Sequence, residues 1–231
     1  MGKIYLHIAN ANHIFNDTDC FIFRQATKKA EVFISEMFQQ FNYNVDMVVI
    51  TPSFLLPTIA EDGIAGRTHN SRLIMLSVNK HQHQINEDFV FETICHELAH
   101  SLRWEKVPEY AETMFDGMIL EGLAVVLEEE AMNRFKQYNK QFFLRKIQNT
   151  KQKEVNAMVA TLKNNFNNTA YDYNTIFYTG NDNLPRWTGY KLGYYFVKQY
   201  LLKTNQTIAQ ATFASYRDFT PDIEKSPSWY A

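Results

Sequence analysis

Cysteine is scarce in this chain. Its 231 residues hold two, Cys20 and Cys95, 75 positions apart. That excludes a disulfide framework and fits a reducing compartment with free thiols. Long apolar runs are also missing. No 18 consecutive apolar residues occur, so no membrane span is expected. The opening "MGKIYLHIANANHIF" has one lysine and no continuous apolar stretch, unlike a secretory leader. Tyr5-Leu6 stand where a myristoylation signal places Ser or Thr. A strong charge excess is absent too. The net charge is −2 with a pI near 6.4, which gives no general affinity for nucleic acid or acidic membrane surfaces. No internal repeat is visible. The expectation is a cytoplasmic globular protein whose oligomeric state the sequence leaves open.

What is present supports that class. Hydrophobic residues make up 45% and charged residues 21%, a globular balance. The length suffices for one domain with a real core, or two small lobes sharing a cleft.

Strands are expected at "KIYLHIAN", "VDMVVI" and "RLIMLSVN". "DCFIFRQATKKAEVFISEMFQQF" has helical spacing, with Phe23, Ala26, Ala30, Phe33 and Met37 able to share a face. "GIAGRTHN" reads as a turn-rich connection. "INEDFVFETICHELAHSLRW" reads as a helix opened by Asn86, with acids in its first turn and Pro108 as its break. "EYAETMFDGMILEGLAVVLEEEAMNRF" is the next helix, and helical sequence continues to about residue 163. "GNDNLP" is a turn, "RWTGYKLGYYFVKQYLLK" a strong helix and "NQTIAQATFASYRDF" one more. Strands come first and helices follow, an order that points to an α+β architecture. Residues 134–153 carry seven bases and no acid, a pattern of solvated helix faces before it is a docking surface for an acidic partner.

The chemistry gathers around "HELAH". On a wheel of about 100° per residue, Phe91, Ile94, Leu98 and Leu102 form an apolar stripe. His96 and His100 lie about 40° apart on the far side, with Glu97 beside them. Both imidazoles can reach one ion while the stripe anchors the helix. In HExxH sites two imidazoles bind zinc, and the glutamate orients and deprotonates a water. The five residues alone also fit an ordinary helix, because zinc needs a third protein ligand. Glu121 is the candidate, with twenty residues between it and His100. Gly117 and Gly122 flank it, and helix-interior glycine costs about 1 kcal/mol against alanine. Close packing of helices explains such glycines, and so does room around a metal.

HExxH followed some twenty residues later by Glu-Gly-(aromatic or aliphatic)-Ala resembles the gluzincin clan of zinc metallopeptidases. "HELAH", "MILEGLA" and "LPRWTGYKLGYYFV" together look like the bacterial YjaZ-type family of predicted zinc-dependent proteases. The resemblance covers about residues 87–202. It implies a zincin-like fold, one Zn2+ per chain on His96, His100 and Glu121, Glu97 as general base, and a peptide or protein substrate. In several gluzincins an acid four residues after the ligand glutamate supports a ligand histidine. Here Val125 stands there, so the partner comes from elsewhere, and Glu128 and Asp116 are the candidates.

Hydrolysis also needs a group to stabilise the oxyanion. "LPRWTGYKLGYYFV" offers Arg186, Tyr190 and Tyr194. The resemblance favours Tyr190; buried tyrosine packing is the alternative. "RLIMLSVN" is either the strand that holds an extended peptide by strand addition or a core strand. His81 and His83 belong to an expected exposed turn, with His69 upstream, and Cys95 points away from His96 as a small buried residue.

The expected protein is thus a single α+β, zincin-like domain over residues 1–231. Residues 1–104 form a mixed α/β lobe with the HExxH helix, and 105–231 a helical lobe with the third ligand. The expected function is zinc-dependent peptide hydrolysis. The alternatives are a binding or chaperone-like protein on the same scaffold, and a zinc amidohydrolase acting on a non-peptide amide.

Overall fold

The computed structural model describes residues 1–107, 109–137 and 139–219. The architecture is α+β. It divides into two compact units. One is Met1–Pro108 with Leu127–Phe143; the other is Glu109–Val126 with Leu144–Ala231.

The first unit is built on a sheet of β1 (Ile4–Ile8), β2 (Val45–Ile50), β3 (Ile64–Asn70) and β4 (Leu73–Val78), in the order β1-β2-β4-β3. β1 and β4 run parallel to β2, and β3 runs antiparallel to β4. Alternation sorts the faces. Val45, Met47, Val49, Ile74 and Leu76 point inward and are fully buried, while Asp46 lies exposed between two of them. Helix α1 (Asp17–Met37) starts at a capping box in which Asn16 and Asp19 bond each other's backbone N–H. Its buried face includes Phe23, Ala26, Ala30 and Phe33, while Met37 is half-buried.

"GIAGRTHN" is not merely a connection: Ile64–Asn70 is strand β3. Pairing with β4 overrides its weak strand propensity. One glycine, Gly63, has φ +69° and makes the turn into the strand. β3 thereby becomes an edge strand, and β4 ("LIMLSV") is flanked by β2 and β3. β4 is the core strand of the two alternatives, since both its edges are already paired.

Helix α2 (Glu87–Lys106) begins at Asn86, whose side chain accepts the Asp88 N–H. It ends at Lys106; Pro108, expected to break it, lies outside the described residues. Phe91, Ile94, Leu98 and Leu102 are fully buried, as the wheel requires.

Helix α3 (Met114–Arg134) is continuous. Its N-terminal part belongs to the second unit, with α5 (Gln152–Leu162), a π-helical turn (Thr175–Thr179), α6 (Thr188–Thr204) and a short α7 (Ile208–Ala211). Helix α4 (Phe142–Gln148) precedes α5. A Cβ on Gly122 would overlap the Gly193 backbone, and one on Gly193 would overlap the Met118 backbone. These glycines let α3 and α6 touch backbone to backbone. The expected final helix reduces to α7 and a 3₁₀ turn at Tyr216–Asp218. Thr207 and Ser215 each cap a new start there, competing with one continuous helix.

Candidate metal centre

Glu97 and both histidines of "HELAH" sit on α2, opposite its buried stripe. Glu97 is 5% exposed. The Thr68 hydroxyl lies 2.7 Å from Glu97 Oε2 and 2.9 Å from its carbonyl oxygen, so one proton is shared between them. Gly66, two residues before Thr68, has no Cβ; one built there would overlap the Glu97 side chain. The β3 backbone therefore presses directly against this carboxylate. A glycine inside a strand marks such close approach.

The His96 and His100 rings lie 5.1 Å apart at 76°. His96 Nδ1 is 2.9 Å from Glu128 Oε2, and Glu128 is buried. A carboxylate acceptor places the proton on Nδ1 and leaves Nε2 with its lone pair. Phe143 meets the His96 ring edge-on at 6.3 Å. His100 is buried and stacks on Trp104 at 6.1 Å.

Glu121 and Glu128 are seven residues apart on α3, two turns along one face. His96, His100 and Glu121 each offer one ligand atom, and these atoms all lie within 4.8 Å of one another. The Tyr173 hydroxyl donates to Glu121 Oε1 at 3.2 Å. Burial and the Glu121 charge push the Tyr173 hydroxyl far above the usual tyrosine range, so it keeps its proton as a donor. Its ring stacks on Phe177 at 4.4 Å. Tyr173 is nonetheless 40% exposed.

The other expected residues are distributed as follows. Tyr190 is buried, edge-on to Phe177 at 5.5 Å and near Tyr178 at 6.5 Å. Tyr194 is buried, with Lys198 over its ring. Arg186 is exposed and lies on the Trp187 ring at 3.9 Å. Asp116 accepts the backbone N–H groups of Glu112 and Thr113 and so serves the start of α3. Of the two acids considered beside a histidine, Glu128 is the one bonded to His96. Cys95 is fully buried, and burial raises its thiol well above the ordinary value. His69 and His81 are exposed and His83 half-buried. No further group of three potential ligands was found among the described residues.

Thr68, Gly66, Tyr173 and Glu92 were not singled out from sequence. Thr68 and Gly66 vanish once β3 is read as a connection. Tyr173 lies in a polar stretch whose only cue is its density of tyrosines. Glu92 did leave a signal: an acid beside the apolar stripe, one turn before His96. It is fully buried and accepts the Gln141 backbone N–H at 3.1 Å.

Two imidazoles and one carboxylate form a donor set suited to zinc. The carboxylate behind His96 adds the orientation that such ligands need. These residues fit the ion. A family model described as "Predicted Zn-dependent protease (DUF2268)" matches residues 23–221. Neither the curated proteins nor the solved structures compared with the chain gave a match.

Proposed function

Because the chain belongs to this family of predicted zinc-dependent proteases, we propose that it hydrolyses peptide bonds at a zinc ion held by His96, His100 and Glu121. The observation that carries the reading is the meeting of three donor atoms within 4.8 Å, two of them on the helix that bears Glu97. A purely structural site has no need of that fourth group.

Zinc bound there supplies a Lewis acid that polarises a carbonyl and acidifies water. Glu97 takes the proton of the attacking water and passes it to the leaving amine. Thr68 fixes the carboxylate for this task through Oε2. The Glu128 carboxylate keeps His96 in the tautomer that ligates through Nε2. The outer edge of β3 receives an extended peptide by strand addition, since β4 occupies only its inner edge. Tyr173, ahead of Tyr190, supplies the hydroxyl that stabilises the oxyanion, because it already stands on Glu121.

The test is Glu97→Gln. The variant is expected to keep its zinc and to lose hydrolysis of an unfolded protein substrate by roughly 10²–10⁴-fold. Activity equal to wild type would remove Glu97 from the mechanism. Lost zinc would make Glu97 part of the ion's hold.

A further inference from the structure

The two imidazoles of the centre are held by different means. Glu128 grips the His96 ring at Nδ1, and Phe143 meets that ring edge-on. The His100 ring is covered on a face. The Trp104 ring lies against it, with centroids 6.1 Å apart and planes 26° from parallel. The two residues are four apart on α2, the spacing at which helix side chains lie over one another. His96, His100 and Trp104 therefore follow one side of the helix, each about 40° on from the last. That side is opposite the buried stripe of Phe91, Ile94, Leu98 and Leu102. Core packing explains the stripe, where exposure is 0%; Trp104 keeps 38%.

We propose that Trp104 is a positioning residue for the metal centre: its indole stacks on His100 and fixes the plane of that imidazole for the ion. The role deepens the zinc reading above and rests on it. The outer torsion of a histidine side chain is broad, so its rotamer alone does not aim the ring nitrogens. A second aromatic plane lying nearly parallel narrows that torsion, and ring pairs at this separation attract in an offset stack. The attraction also grows with the ion in place. An imidazole that ligates zinc loses electron density and takes on cationic character. The negative face of an aromatic ring favours such a group, and indole offers the strongest face among side chains. The stack therefore favours the ligated ring over the free one. An aliphatic side chain of similar bulk covers His100 without supplying that face.

The test compares wild type, Trp104→Phe and Trp104→Leu, the last apolar and helix-favouring but without a ring. Zinc affinity is read by competition with a chromophoric chelator. Trp104→Leu is expected to bind zinc roughly 3–10-fold more weakly than wild type, and Trp104→Phe to fall between the two. The second readout needs no ion. In the proton NMR spectrum of the metal-free wild type, the His100 ring signals are expected to be displaced by the indole ring current, and Trp104→Leu to lose that displacement. Wild-type affinity in Trp104→Leu overturns the proposal and leaves the zinc reading standing. Equal weakening in both variants also overturns it, since bulk rather than an aromatic face would then be at work. If Trp104→Leu does not fold, the wild-type spectrum decides: the displacement supports the stack, and its absence overturns the role. A wild type that shows the displacement but binds no zinc overturns the metal reading, and with it the purpose assigned to Trp104.

Discussion

At the residue scale, the sharpest question is which hydroxyl faces the developing charge. Tyr173 and Glu121 meet at 3.2 Å. Tyr190 instead packs edge-on against Phe177. A hydrogen-bond donor held at the site is worth most in the transition state, where the charge appears. Tyr173→Phe is therefore expected to keep zinc and lower kcat by roughly 10²–10³-fold. Steady-state kinetics on Tyr173→Phe and Tyr190→Phe, with metal content measured on both, check this. Unchanged kcat in Tyr173→Phe, beside a loss in Tyr190→Phe, would return the role to Tyr190. Composition and periodicity had no means of choosing Tyr173. Its only relation to Glu121 is a long-range contact across 52 positions.

At the element scale, α3 and α6 are matched by glycine. Gly122 faces the Gly193 backbone. Alanine is favoured over glycine in a helix by about 1 kcal/mol, so propensity alone makes Gly122→Ala stabilising. The crossing reverses the sign, because backbone atoms cannot yield as a flexible side chain can. Gly122→Ala is expected to destabilise the metal-free protein by about 1–3 kcal/mol, the usual cost of overpacking. Urea unfolding at equilibrium measures it, and a stability at or above wild type would contradict it. The helices were legible because their signals are local. The α2 stripe and the Gly189–Gly193 pair of α6 follow a 3.6-residue period, and Asn86 is a cap in the adjacent turn. Strand β3 was not, since in Gly66–His69 Thr68 is the one strand-favouring residue, and Gly66 and the polar neighbours outweigh it. Its strand character arises from pairing with β4 and contact with Glu97. The same lack of locality hid Thr68 as the partner of Glu97.

At the scale of the whole molecule, the α+β class follows from the order of strands and helices along the chain. No described helix is long and apolar enough to cross a membrane. The matched family region, residues 23–221, takes in β2, β3, β4 and every described helix from α2 onward. His96, Glu97, His100 and Glu121 all fall inside it, and each was readable from "HELAH" and "LEGLA". What distinguishes the centre from a histidine pair on a helix is the support around it: Thr68 on Glu97, Glu128 on His96 and Tyr173 on Glu121. The central claim is that this arrangement exists to hold zinc. The most direct measurement is the metal content of chain purified without a histidine tag, equilibrated with zinc and then freed of excess. The account predicts about one zinc per chain, falling strongly in Glu121→Ala. A fully folded protein that retains no zinc would contradict it.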